Sequence, residues 1–305
     1  MRSPLRFVCR RLVASGWLLL VALVLGLAQP VTAWAQRSFA TPDAAMSAFG
    51  DAIASNDEGE LKALFGVDFR QIIPPVDDEV RTRFLQEWVK SHAIQSVDDK
   101  HAKLAVGDDG WTFPIPLVKD AKGWYFDTRA GADEMRIRRI GRNELATIQT
   151  MLAVYDAQRE YAQTSHDGNP MLTYAAKLVS SPGKHDGLYW PTDEDQQPSP
   201  LGIAFVTATK RKPPAEGYYG YRYKLLTSQG PHAPGGAYDY MVHGKLFGGF
   251  AVLAWPVKYR DTGVKSFMVS HDGQVYSRDL GPDGAARAEA MKSFDPGSGW
   301  TKEAP

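Results

Sequence analysis

The sequence predicts an α+β protein in two parts: N-terminal helices plus a curved, cone-like antiparallel sheet, then a long helix packed on a C-terminal antiparallel sheet. Three observations carry this expectation. Between residues 36 and 128 the apolar spacing changes from helical to alternating near Ala102. Residues 142–164 place Leu145, Ile148, Leu152 and Tyr155 at steps of three and four, the spacing of one apolar helical stripe. From Tyr218 onward, short aromatic and apolar runs alternate with Gly- and Asp-bearing turns, which is the pattern of a sheet that a helix covers.

The chain opens on Arg2, Arg6, Arg10 and Arg11, continues through an apolar run over residues 16–29, and reaches Ala33-Trp34-Ala35. A charged head, a short apolar core and a small-x-small site predict a cleaved secretory signal over residues 1–35, cut after Ala35, and a periplasmic or secreted location. The apolar run falls short of the roughly 20 residues that a spanning helix needs, so no membrane span is expected after cleavage. Cys9 before Arg10-Arg11 and Leu12-Val13 after it fit a twin-arginine signal poorly.

Taking the four leader arginines from 35 basic residues leaves 31 Lys+Arg against 35 Asp+Glu. That balance offers no cationic surplus to hold nucleic acid. Cys9, the one cysteine, departs with the leader. The remaining chain then has no disulfide, thiolate nucleophile or cysteine metal site and relies on its core.

Residues 36–141 form the expected N-terminal α+β domain. Thr41 caps a first helix with Pro42 in its opening turn, and Ala45, Met46, Phe49, Ala52 and Ile53 recur at helical spacing before Asn56-Asp57 stops the run. A second helix is expected over 60–66 and a third over 78–92, with Ile73-Pro74-Pro75 as a rigid extended link. Three strands follow, at 102–106, 111–118 and 123–128. Helices followed by a curved meander resemble the cone-shaped fold of the nuclear-transport-factor-two and polyketide-cyclase superfamily. That resemblance implies a ligand pocket or active site inside the cone, for which His92, His101 and Asp127 are the candidates. Residues 134–142 alternate Arg136, Arg138 and Arg139 with Ile137 and Ile140, predicting a terminal strand with its charges in water.

Residues 142–305 form the expected C-terminal domain. Asn143 caps its long helix, and Pro170 closes the exit. A short helix is expected within 174–181, then a tight loop bearing Tyr189 and Trp190, then a polar, mobile link over 193–200 and a strand or short helix at 201–206. Strands are expected at 218–228, at 246–257 as the central apolar strand, and at 263–270 and 274–280 as a hairpin across His271-Asp272-Gly273.

The segments GRNELATIQTMLAVYDAQREYA, SSPGKHDGLYWP, the run from GYRYKLLTSQG to SHDGQVYSRDLG and the closing MKSFDPGSGW, with FPIPLVK and GWYFDT earlier, resemble the bacterial family called domain of unknown function 2950. The resemblance implies an exported protein with no assigned activity and no catalytic residues to carry over. The long helix followed by the later strands is also similar in order to the globular part of pilin-like proteins.

Motif chemistry is sparse. Three His-Asp-Gly triplets begin at His166, His185 and His271, each where a chain reversal is expected, and zinc-ligand spacings are missing, so no metal and no cofactor is expected. There is no His-Glu-x-x-His, no Gly-x-Ser-x-Gly and no phosphate loop. The glycines around Gly244 and Gly248 precede a strand, whereas a phosphate cradle opens a helix. The unusual stretch is 230–243, a loop dense in Gly, Pro and Tyr. His232, Tyr238, Asp239 and Tyr240 with Trp190 are the binding residues it suggests, for a protein, peptide or glycan partner in the cell envelope. The bland alternative is a loop pinned to cover a sheet edge. Function is thus expected to be non-catalytic binding or scaffolding. The alternatives are a hydrolase with its site near the 230–243 loop and a structural subunit of an envelope assembly.

Overall fold

The computed structural model describes residues 36–166, 168, 170–191, 198–202 and 217–304. The expected leader, much of the polar link after Asp193, and residues 203–206 lie outside the described residues. The protein is α+β, and its internal contacts divide it into a unit ending at Gly131 and a unit beginning at Ala132.

In the first unit α1 (Pro42–Ser55) starts where Thr41 accepts from the Ala44 N–H and ends at Asn56 in the left-handed region. Helix α2 (Glu58–Phe65) is capped by Asp57 and followed by a single 3-10 turn, Phe69–Gln71. Helix α3 (Asp78–Lys90) is capped by Asp77 and stops at Ser91, whose backbone is extended. Strands β1 (His92–Ser96), β2 (His101–Val106), β3 (Leu117–Asp120) and β4 (Gly123–Phe126) form an antiparallel meander in sequence order. Strand β1 is absent from the sequence reading, which ran α3 on to residue 92. The expected strand at 111–118 shrinks to its last two residues, because Pro114 and Pro116 have no N–H to give a ladder. Phe39 adds a bridge to Trp124 through 2.7 Å hydrogen bonds in both directions. The core is Phe49, Leu64, Phe65, Leu104, Leu117 and Phe126 with their neighbours.

Helix α4 runs from Thr128 to Tyr161, and its start is capped by Asp127, which accepts from the Ala130 N–H at 3.0 Å. Residues 134–142 are therefore helix and not a terminal strand. Ile137 and Ile140 stand three apart, a helical step and not a strand's period of two, and Arg138 reaches Glu134 at 2.7 Å and Arg136 reaches Asp133 at 2.9 Å, one helical turn apart. Asn143 is no cap; it sits within the helix and donates to the Thr262 carbonyl at 2.8 Å. No helix among the described residues is long and apolar enough to cross a membrane.

The buried stripe of α4 is also turned from the expected one. Leu145 is 68 % exposed, whereas Thr147, Thr150, Met151, Val154 and Gln158 are buried. Threonine can take core positions here because Thr147 and Thr150 donate their hydroxyls to the carbonyls of Asn143 and Ala146, four residues back.

After α4, β5 (Lys177–Val179) and β6 (Gly187–Tyr189) pair in parallel, replacing the short helix expected there. The remaining elements are β7 (Tyr221–Leu226), β8 (Ser228–Gln229), β9 (Tyr238–Asp239), β10 (Met241–Val242), β11 (Lys245–Leu246), β12 (Ala251–Pro256), β13 (Lys265–Ser270), β14 (Val275–Asp279), α5 (Gly284–Ala290), β15 (Ser293–Phe294) and β16 (Thr301–Lys302). Five of them form one antiparallel sheet in the order β16-β14-β13-β12-β7. The predicted hairpin across residues 271–273 is β13–β14.

Strand β12 is buried at all six positions because the sheet is covered on both faces. On β7, Tyr223 meets Thr147 of α4, while its neighbour Lys224 points the other way and donates to the Glu289 and Met291 carbonyls at the end of α5.

The turn between β5 and β6 is held by Asp186, which accepts from Lys177 Nζ, the Ser181 N–H and the Ser181 hydroxyl at 2.7–3.0 Å. Burial alone would raise its pKa, but these donors prevail and hold it at about 2. A folded-state pKa below the unfolded value makes the stabilising contribution complete above about pH 4, and it is lost as pH falls toward 2. Hydrogen-exchange protection of the Ser181 amide is expected to decline across that window and to be weak at every pH in Asp186→Asn. Full protection of the wild type at pH 2 would exclude this role.

Candidate functional site

The first unit holds an open cavity of about 410 Å³ between α1, α2, the 3-10 turn, the 73–76 link and α3. Its inner wall is aromatic, with Phe49 and Phe113 rings 4.7 Å apart and Phe65 6.2 Å from Phe69. Local sequence explains why it stays open. Pro74 and Pro75 have no N–H to join a helix or ladder, so the link runs extended and α3 begins away from α2. Helix α3 has an apolar side in Val80, Phe84 and Trp88, yet none of its residues is fully buried. Val76 and Val80, both lining the cavity, are 56 % and 46 % exposed.

Charge is confined to Glu58, Arg70 and Arg81. Arg70 forks onto Glu58, with Nε 2.8 Å from Oε1 and Nη2 on Oε2, while Nη1 donates to the Ile73 carbonyl at 3.3 Å. Its guanidinium carbon also lies 4.5 Å from the centre of the Phe69 ring. The shared hydrogen bonds hold the Glu58 carboxyl below its ordinary range and raise Arg70. Arg81 donates from Nη2 to Asp78 at 2.9 Å. Such a wall can hold an apolar body, with one guanidinium edge for a polar end.

The residues that the sequence suggests for a pocket in this unit serve elsewhere. His92 stacks on Trp88 at 4.4 Å with Nδ1 facing the Trp88 carbonyl, His101 at the exposed start of β2 faces the Asp98 carboxylate at 2.8 Å, and Asp127 caps α4. None of the three lines the cavity. Sequence reasoning missed the lining because the apolar side of the expected 78–92 helix, Val80 included, reads as ordinary core. The signal that could have exposed it was an apolar helix side directly behind a Pro-Pro link.

In the second unit the residues of the 230–243 loop divide by burial. Tyr240 is fully buried and donates to Gln229 Oε1 at 2.9 Å, and Trp190 is buried with His166, His185 and Tyr161 as its described ring neighbours. Tyr238 is exposed, with its hydroxyl 3.3 Å from the Gly248 carbonyl and 3.2 Å from His271 Nε2. Burial raises both tyrosine pKa values, with Asp272 adding to each. Asp239 is exposed and accepts from the Met241 N–H at 2.8 Å. His232 is exposed, and both its N–H and its Nδ1 meet Asp295, at 2.8 and 3.0 Å.

Two side chains that sequence reasoning passed over fasten this loop. Gln229 donates to the Pro234 and Gly236 carbonyls at 2.7 and 2.6 Å, and Asp295 receives His232 from 63 positions away. Short pairings of β8 with β9 and β15 complete the fastening. Behind Tyr238, His271 Nδ1 is buried without a hydrogen-bond partner, and a Cβ at Gly249 would lie 2.6 Å from it. His166 and His185 share Trp190 as a ring neighbour while His271 packs on Tyr238 and Tyr240, and no group of three or more metal-ligating side chains occurs among the described residues.

Residues 36–303 match the family described as "Protein of unknown function (DUF2950)". No curated protein and no solved structure matches the chain, so the similarity to pilin-like domains has no support there.

Proposed function

The chain belongs to the DUF2950 family, whose description gives no activity, and from the geometry of the first unit we propose that it is a non-catalytic binding protein of the cell envelope that holds an apolar small molecule. The observation that carries this reading is the aromatic-walled cavity of about 410 Å³ with exposed Val76 and Val80 at its side. That volume lies within the range of small-molecule sites, roughly 300–1,000 Å³, and its mainly apolar wall with a few polar groups suits the same use. Exposed apolar side chains lining a concavity lose their contact with water when a ligand fills it, which favours binding.

A neutral naphthylamine dye should light up on binding and raise the melting temperature with dye concentration. Ile53→Trp, placed on the α1 wall of the cavity, should weaken dye binding tenfold or more with the helical signal unchanged. Saturable dye binding that is indifferent to Ile53→Trp would sink the reading.

A second reading, hydrolysis near the 230–243 loop, draws on one observation. With Nδ1 turned to Asp295, His232 has Nε2 left for the role of general base. It predicts turnover in a hydrolase panel that disappears in His232→Ala. The bonds of Gln229 and Asp295 favour a fastening role for these residues, in which His232→Ala leaves dye binding in the first unit unchanged.

A further inference from the structure

Building on the binding role of this cavity, we infer that its occupant is a single-chain amphiphile with a carboxylate head, its tail among the phenylalanines and its head on Arg81. The phenylalanine wall gives the tail a place, and the argument for the head rests on how the two rim arginines are used. Arg70 has both arms on Glu58, a third donor on the Ile73 carbonyl and its face over Phe69, so it is committed to holding the rim. Glu58 matches its charge.

Arg81 is used differently. Its single described bond is from Nη2 to Asp78, three residues before it on α3. The Arg81 side chain is 26 % exposed and lines the cavity, whereas the Asp78 side chain is 90 % exposed. Asp78 stands in water in the first turn of α3, where it also complements the helix dipole. An exposed pair three residues apart is weak and readily exchanged. The cavity therefore has one cationic group whose remaining donors have no partner among the described residues, beside an apolar wall. A guanidinium edge fits a carboxylate with two parallel hydrogen bonds. A single negative charge matches it, while a doubly charged phosphate would also face Glu58 and Asp78.

The experiment is displacement of the naphthylamine dye from the purified full chain by dodecanoate and by dodecanol, each below its micellar concentration, at pH 7.5. Dodecanoate is expected to displace the dye at about one tenth of the dodecanol concentration, the factor a charge-assisted hydrogen bond supplies. Arg81→Gln should abolish that preference, bringing the dodecanoate and dodecanol midpoints together, and Arg81→Lys should restore part of it. Equal midpoints for the two ligands, or a preference that survives Arg81→Gln, would overturn the carboxylate head and leave the apolar site standing. Failure of either ligand to displace the dye, with Ile53→Trp binding it normally, would overturn the site itself.

Discussion

Replacing Phe49 by alanine is expected to destabilise the first unit by about 3–5 kcal/mol, the range for removing a large aromatic side chain from a core. Phe49 is 2 % exposed, and its ring meets Phe65, Phe84, Trp88, Phe113 and Phe126 at centroid distances of 4.7–5.9 Å. These neighbours come from α2, α3, the segment before β3 and β4, so one side chain joins the helical layer to the sheet. Several of the contacts are edge-to-face, which adds to the value of burial alone. Because Phe49 also lines the open cavity of this unit, its removal should widen an existing space rather than be filled by collapse of its neighbours. Urea denaturation followed by tryptophan fluorescence should show a lower midpoint with little change in slope. Phe49→Leu, which keeps part of the bulk, should cost less. A loss below about 1 kcal/mol for the alanine variant would show that the cluster does not depend on this ring.

The start of α1 was legible in this sequence because its chemistry is local: Thr41 caps the N–H three residues on and Pro42 marks the first turn. The start of α4 was not, since Asn143 reads as a cap but lies within the helix, which begins at Thr128. The β13–β14 hairpin was legible for the same reason as α1, with Gly273 supplying a positive φ of 80°. What failed to show was whatever depended on distant partners. The arginines at 136, 138 and 139 interleaved with Ile137 and Ile140 suggested a strand, although the isoleucines stand at a helical step, and Ile137 is exposed, so no burial signal corrected the reading. Leu145 looked like a core residue, but the face of α4 that meets the sheet is chosen by Tyr223 and by the backbone at Val264 and Lys265, both of which donate to Glu144. The candidate loop was visible as an oddity of composition, while Asp295, which decides how His232 points, lies far along the chain. An open cavity is harder still to read, since an unfilled space has no residue of its own.

The bond that ties α4 to the chain it covers gives the other large expectation, the loss of about 2–5 kcal/mol in Gln158→Ala. Gln158 and Ala175 are both fully buried. The Gln158 amide donates to the Ala175 carbonyl at 3.0 Å and accepts from the Ala175 N–H at 2.8 Å, so a side chain plays the part of a neighbouring strand. Beyond it Tyr174 donates to the Leu246 carbonyl at 2.8 Å and its ring meets Phe250 at 4.9 Å, which places this short segment between α4 and β11. Removing the amide orphans two buried backbone groups, each costing roughly 1–3 kcal/mol, and leaves a cavity besides. Gln158→Met separates the two effects, since it keeps the volume and drops both hydrogen bonds; it should still lose about 2 kcal/mol. Gln158→Glu keeps an acceptor for the Ala175 N–H but turns a carboxyl oxygen toward the Ala175 carbonyl, so it should gain stability as pH falls and the carboxyl becomes a donor. Denaturation midpoints at pH 7 and pH 5, with exchange of the Ala175 amide, measure all three variants. A Gln158→Met protein within 0.5 kcal/mol of wild type would mean that Ala175 finds other partners, and that α4 holds this segment by apolar packing alone.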